Sequence, residues 1–371
     1  MKNCYKTMIY PFDLESLPLI RHNKFIDEYN IVNIISPNGW AHCGKDAGDA
    51  DNGQSVGITV DNDFDKALEN CDTAFFVDSS MKIDLNKFVY PKIIKAAQSS
   101  KNIICTIKLE DEMINKVSNT CNQNNRFFKY FKDKNDSTLS PKIEKIYPIN
   151  TPVILVAGLC ERTNKFEIQL SLRENLEDIG YKVSQIGTRH YCELMGFHSF
   201  PKFMYSKSIT ESEKIILFNH HIKNIESKEA PDVIVIGIPG GTMPITHEFT
   251  NKFGILAYEV SQAVMADVVV VSTLCSNSPE SLKLLSQSCK YKFGYDIDCY
   301  NISNTYLNIG ASKYEESLQF DVIDLEVINE KKVMYKELDV PVYNILDIND
   351  AKSMTSFLLN KLSGYGNNQI I

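Results

Sequence analysis

Short runs of β-branched and apolar residues alternate with stretches of helical period along almost the whole chain. In the first part the apolar runs are "KTMIYPF", "NIVNIIS", "TAFFVDS" and "NIICTIKL", with "FDKALENC" and "NKFVYPKIIKAAQSS" reading as helices between them. The rhythm returns with "PVILVAGL", "KVSQIGT", "DVIVIGIP", "ADVVVVSTL" and "DIDCYNIS". A tail follows, carrying "FDVIDLE", "VPVYNILD" and the helical pattern "DAKSMTSFLLNKLSG". Strands spaced by helices connect through right-handed crossovers and build parallel sheets. Runs as uniformly apolar as "VIVIGI" and "VVVV" suit central strands covered on both faces. The pattern predicts an α/β protein with two open, mainly parallel sheets. The first domain is expected over 1–118 and the second over 149–371. Between them, residues 119–148 are polar and weakly periodic and read as a connecting segment, its Phe-Phe-Lys-Tyr-Phe aromatics suited to docking on a domain.

Length and charge narrow the class. At 371 residues the chain is long for one hydrophobic core, in keeping with two domains. A formal net charge of −8 gives no polyanion-binding signature, so nucleic acid is not an expected partner. The ten cysteines include no CxxC pair, which argues against a zinc knuckle and against a disulfide framework. No stretch approaches the ~20 apolar residues of a membrane span, and the start lacks a signal-peptide run. A reduced, cytoplasmic protein without membrane contact is expected; a homo-oligomer is compatible with the sequence.

The most chemical stretch is "GLCERTNKF", 158–166, which follows "PVILVA" and opens a helical pattern. Unpaired amides and the macrodipole at a helix start attract an anion, and glycine lets backbone approach it. Gly158 ends a buried strand, Thr163 and Asn164 close the arc, and Lys165 brings an ammonium group to the helix start. Two parts of a magnesium-dependent hydrolase are missing. Phe166 stands where Ser or Thr would ligate the metal, and "DVIVIGIPGG" has no carboxylate at its carboxyl end. Any catalysis expected here is therefore group transfer, not magnesium-dependent hydrolysis, and no metal site is assigned. The seven-residue spacing from Gly158 to Lys165 is similar to that of the dethiobiotin-synthetase-like branch of P-loop proteins.

Other segments fall at the carboxyl ends of strands, where α/β sheets gather ligands. "IGTRHYCELMGFHSFP" offers Arg189 as an anion partner and His198 as a proton shuttle. "IPGGTMPITHE" offers Gly240 and Gly241 for close backbone approach, with His247 and Glu248 as a catalytic pair. Helix "YEVSQAVMAD" holds Glu259, read as structural. In the first half, "SPNGWAHCGKDAGDADNG" brings Lys45, Asp46 and Asp49 to a strand end, and Asp13 follows the first strand; these are expected to face a cleft. The alternating Asp46, Asp49 and Asp51 hint at oxygen ligands, but the spacing is not that of an EF-hand. No GxGxxG follows the first strand, which disfavours a dehydrogenase.

Taken in order, "YPFDLESLPLIRH", "SPNGWAHCGKDAGDAD", "FVYPKIIKAA" with "NIICT", "VAGLCERTNKFEIQLSLRENLEDIGYKVSQIGTR" and "IPGGTMP" with "GILAYEVSQAV" resemble the clostridial peptide maturation system protein family across almost the entire chain. That family is encoded beside small precursor peptides and radical-chemistry maturases in ribosomal-peptide natural-product clusters. The resemblance implies an accessory role in peptide maturation, with precursor peptide and maturation enzymes as partners. A more distant resemblance, to the D-glutamate N-acetyltransferase-like family, implies a Rossmann-like first half and a P-loop-like second half that acts with acetyl-CoA. Only Gly158 and Lys165 match that family's loop; Asn164 and Phe166 depart from it. The ligands expected are ATP or GTP, or acetyl-CoA or CoA. The alternatives are a non-catalytic scaffold that recruits the precursor or the maturase, and an acyltransferase or acetyltransferase.

Overall fold

A computed structural model describes residues 4–40, 42–131, 141 and 143–366. The chain divides into two compact units, Met1–Asp133 with Glu193–Gly196, and Lys134–Cys192 with Phe197–Ile371.

In the first unit the strands are β1 (Tyr5–Tyr10), β2 (Tyr29–Ile35), β3 (Val60–Asp61), β4 (Thr73–Phe76), β5 (Asn102–Cys105) and β6 (Phe128–Tyr130). They form one sheet in the order β3-β2-β1-β4-β5-β6, and every pair is parallel. That order is the doubly wound one, with its reversal between β1 and β4. Helix Tyr90–Gln98 shows why the crossovers pack: Pro91 opens it, and Ile93, Ala96 and Ala97 place a narrow apolar face on Met8, Phe76 and Cys105. Residues 119–131, expected in the connection, belong to this unit instead. Helix Asp111–Gln123 runs through the first of them, and Phe128–Tyr130 adds the edge strand. The polar helix face and the three-residue strand together hid this from the pattern. The middle of the expected connection, 132–140, lies outside the described residues.

The second unit contains β7 (Val153–Gly158), β8 (Val183–Gly187), β9 (His198–Ser199), β10 (Val233–Gly237), β11 (Val268–Thr273), β12 (Cys299–Ile302), β13 (Thr305–Leu307), β14 (Phe320–Val322) and β15 (Val342–Tyr343). Seven of these make a parallel sheet in the order β15-β12-β11-β7-β10-β8-β9, with β7 between β10 and β11. β13 and β14 form a separate antiparallel pair. Every residue of β7, β10 and β11 is buried, as their unbroken apolar runs require. Helix Lys165–Asp178 follows β7 and is buried through its first eight residues. One face packs on helix Ile348–Gly366: Ile168, Leu172 and Leu176 cluster with Met354 and Leu358, and Asn175 Nδ2 donates to Thr355 Oγ1 at 3.2 Å.

The run into β7 is strapped to helix Glu211–Glu229. Asn219 and the Tyr147 backbone exchange two hydrogen bonds, at 2.8 and 2.9 Å, and Glu226 Oε1 accepts from the Asn150 and Thr151 amides at 2.6 and 2.7 Å. Burial would raise the Glu226 carboxyl, but the Lys223 ammonium and those amides hold it below its usual range. Among the described residues no helix is long and apolar enough to cross a membrane.

Candidate anion-binding site

Residues 158–165 form an arch between β7 and the helix that begins at Lys165. Its carbonyls are gripped from behind. Asn251 Nδ2 donates to the Leu159 carbonyl at 2.8 Å. Thr163 Oγ1 and Lys165 Nζ donate to that of Cys160, at 3.1 and 2.5 Å. Thr305 Oγ1 donates to that of Arg162 at 2.7 Å, and Ser272 Oγ to that of Thr163. Asn301 Nδ2 in turn donates to Ser272 Oγ at 2.8 Å. In a trans peptide the N–H points opposite to the C=O. The amides of Cys160, Glu161, Thr163 and Asn164 are therefore turned away from these donors. Among the described residues, the amides of Cys160 through Asn164 donate to no protein acceptor. Satisfied acceptors behind and unsatisfied donors in front make the concave side of the arch positive.

The two departures from the common loop have different consequences. Asn164 adopts φ 58°, ψ 18°, the left-handed conformation for which glycine is usual and asparagine is tolerated, so the backbone turn survives the replacement. Phe166 does change the chemistry. Its ring is 3% exposed and packs with Tyr191 and Phe197, and it contributes no oxygen. Gly158 is required for space: a Cβ there would lie 2.7 Å from Thr163 Oγ1 and 2.8 Å from Lys165 Cδ. The lysine side chain crosses over this glycine, and its ammonium is turned inward, 7% exposed overall. Burial pushes the Cys160 thiol up to about 12 despite the nearby Lys165, so it is a neutral thiol and not a nucleophile.

The other expected residues separate into those near this arch and those that are not. Gly241 touches it, since a Cβ there would lie 2.4 Å from the Leu159 carbonyl oxygen; Gly240 takes φ 76° in the same turn. Arg189 lies over the Phe166 ring at 5.7 Å, which places its charge on the aromatic cluster flanking the helix start. Thr163 offers its amide only, its hydroxyl being engaged within the arch.

His247 and Glu248 do not form the expected catalytic pair. Both are exposed in a turn closed by Ile245 and Phe249, Glu248 pairs with Lys313 at 3.2 Å, and His247 makes no hydrogen bond among the described residues. Adjacent residues in a turn diverge, so the pair in sequence is not one in space. His198 has a carboxylate partner that the sequence did not disclose: Nε2 lies 2.5 Å from Glu229 Oε1, and Ser184 Oγ donates to the other oxygen. Burial would raise the Glu229 carboxyl, but Ser184 and His198 hold it down. Glu259 is buried, 3.8 Å from Lys214, and burial raises its carboxyl to about 7.

In the first unit two of the expected cleft residues, Asp13 and Asp46, are bound into the backbone of their own loops. Asp13 is 2% exposed and accepts from the Glu15 amide, Ser79 Oγ, and the Ser80 amide and hydroxyl, which fastens the loop after β4 to the turn after β1. Asp46 accepts from the Gly48, Val56 and Gly57 amides and from Ser55 Oγ. Burial would raise its carboxyl, but these donors hold it below its usual range. Asp51 is paired with Arg21 at 2.8 Å, while Lys45 and Asp49 are exposed. Asp46 and Asp51 therefore organise the backbone of this loop. Among the described residues no group of three or more His, Cys, Asp or Glu is gathered as a metal requires. A cavity of about 240 Å³ opens at the β1/β4 reversal, lined by Pro11, Asp78, Ser79, Lys82 and Ile107. It is smaller than the several hundred Å³ typical of cofactor pockets.

Asn251, Ser272, Asn301 and Thr305, which shape the arch, were not among the expected residues. Only Ser272 left a signal, as the first polar residue ending "VVVV".

The fold is that of a two-unit α/β protein, a Rossmann-like unit followed by a P-loop-like unit with the arch 158–165 between its β7 and the helix that follows. The structure is similar to that of a DUF1611 family protein from Anabaena variabilis, with a TM-score of 0.59 at 10% identity over 96% of this chain and 99% of that one. That likeness is one of fold. A match to a dinucleotide-forming acetyl-coenzyme A synthetase from Ca. Korarchaeum cryptofilum, at 9% identity over 100% of this chain and 68% of that one, has a TM-score of 0.18, too low for a shared fold. No protein-family model and no curated protein matches the sequence.

Proposed function

We propose that this protein binds a phosphate-bearing ligand of nucleotide or coenzyme A type in the arch 158–165, as an accessory protein of ribosomal-peptide maturation. The observation that carries the ligand reading is the polarity of the arch: its carbonyls are held from behind, while the amides of Cys160 through Asn164 have no acceptor among the described residues. Lys165 brings the nearest ammonium, which rests on the Cys160 carbonyl. The maturation setting rests on the ordered sequence segments that resemble the peptide maturation family. With Phe166 buried where a metal-ligating hydroxyl would stand, the ligand's charge is met by backbone and side-chain donors, a chemistry suited to holding or transferring a group.

Calorimetry with ATP, GTP, acetyl-CoA and CoA tests this. At least one is expected to bind, with an affinity unchanged by a chelator of magnesium. Absence of heat from all four at millimolar concentration contradicts the reading and favours the second one, a recruitment protein that keeps the fold as a scaffold. That second reading draws on the same buried Phe166.

A further inference from the structure

We infer that Asn301 is a positioning residue of this site: it fixes the direction of the Ser272 hydroxyl and so holds the Asn164 amide open to a bound phosphate, without touching the ligand itself. The inference rests on the anion reading of the arch and adds to it a residue two strands away.

Three hydrogen bonds run in line behind the arch. The Ile345 amide donates to Asn301 Oδ1 at 2.7 Å, Asn301 Nδ2 donates to Ser272 Oγ at 2.8 Å, and Ser272 Oγ donates to the Thr163 carbonyl. The register of the sheet explains how they meet. Ser272 on β11 is level with Asn301 on β12 and with Gly158 on β7. Gly158 has no side chain to hold Thr163 off, and a Cβ there would lie 2.7 Å from Thr163 Oγ1. Asn301 and Ser272 are both 0% exposed, so bulk water does not compete for these groups.

The direction of the row is set at its two ends. A backbone N–H can only donate, so the Asn301 atom facing Ile345 is the oxygen, and the amide nitrogen is turned to Ser272. A hydroxyl has one proton. With Asn301 donating into its oxygen, Ser272 directs that proton to the Thr163 carbonyl, which can only accept. Each link polarises the next. The Thr163 carbonyl and the Asn164 N–H belong to one trans peptide and point in opposite directions, so gripping the first presents the second. The Ile345 end is fixed as well: the Asn344 amide donates to Asp350 Oδ2 at 2.7 Å, and the Leu346 amide to Asn344 Oδ1 at 3.1 Å.

Asn301→Asp alters this direction and little of the shape. An ionised carboxylate still accepts from Ile345 but has no proton to give, so the Ser272 hydroxyl turns to it and the Thr163 carbonyl loses that donor. The neutral acid has an O–H that takes the place of the amide N–H.

The test uses the full chain and inorganic pyrophosphate, with calorimetry on the natural protein, Asn301→Asp and Ser272→Ala from about pH 6 to about pH 9, a range that allows for a buried carboxyl titrating high. The carbonyl carbon resonance of Thr163 reports its hydrogen bond. Ser272→Ala is expected to lose about tenfold in affinity and to shift that resonance. Asn301→Asp is expected to match it in both readouts where the new carboxyl is ionised, and to approach the natural protein as the pH falls. Affinities are compared as ratios to the natural protein at each pH, because pyrophosphate itself titrates. A side chain that only fills space gives neither the shared carbonyl shift nor a ratio that changes with pH. Asn301→Asp binding like the natural protein throughout, or losing affinity with the Thr163 resonance unmoved, overturns the inference and leaves the arch reading intact. Circular dichroism at each pH follows folding; a variant unfolded even at the lowest pH, or an affinity loss that tracks unfolding, also overturns it, since Asn301 then serves the fold. If the natural protein fails to bind pyrophosphate, the inference and the arch reading fall together.

Discussion

Replacing Lys165 by methionine is expected to weaken binding of whichever phosphate ligand the natural protein takes by about 2–3 kcal/mol, roughly 30- to 150-fold. The side chain is buried, crosses over Gly158 and ends on the Cys160 carbonyl, so its ammonium is already at the arch. Methionine keeps the aliphatic stem that fills this space and removes only the charge. The Cys160 carbonyl retains Thr163 Oγ1 as donor, so the arch is expected to keep its shape. Calorimetry on the two proteins checks it, with circular dichroism as the control for folding. An affinity within twofold of the natural protein's would remove Lys165 from the site.

The second large effect is on stability. Gly254→Ala is expected to lower stability by roughly 3 kcal/mol or more, a fall in midpoint temperature on the order of 10 °C. Two penalties add there. The residue sits at φ 68°, and an added Cβ would lie 2.0 Å from the Thr242 carbonyl oxygen and 2.4 Å from its carbon. Those are backbone atoms already fixed by Lys292, so relief requires moving the chain. Gly240 is the internal comparison: it also has positive φ, at 76°, but its Cβ would meet nothing within 4 Å. Gly240→Ala should therefore cost only the conformational part, about 1 kcal/mol. Equal midpoints for the two variants in thermal unfolding would show that the packing of Gly254 against Thr242 is not as described.

What the sequence disclosed follows from the size of each signal. The long apolar runs became the central strands of both sheets because full burial demands uninterrupted apolar residues. The edge strands Val60–Asp61, Phe128–Tyr130 and His198–Ser199 escaped notice because two or three residues carry no period, and an edge position tolerates polar ones. The arch lies where the sequence put it, between β7 and the next helix. Asn164 departs from the related loop in sequence, yet its backbone takes φ 58°, which asparagine tolerates. Phe166 can ligate no metal in any conformation, since its side chain has no oxygen. The His247–Glu248 pair looked chemical because its residues are neighbours in sequence, yet Glu248 turns to Lys313. The true partner of His198, Glu229, is 31 residues away, and the donors behind the arch come from Asn251, Ser272 and Thr305 on separate elements. Such pairings are set by tertiary packing and leave no mark in local pattern.

The open amides of the arch are the central claim, and they report directly on an anion. In an amide-resolved nuclear magnetic resonance titration of the full chain with inorganic pyrophosphate, the resonances of Cys160, Glu161, Thr163 and Asn164 are expected to shift together and to saturate. Those of β2 and β5, in the other sheet, should stay in place. Unmoved arch resonances at saturating pyrophosphate, or shifts scattered without preference over both sheets, would contradict the account.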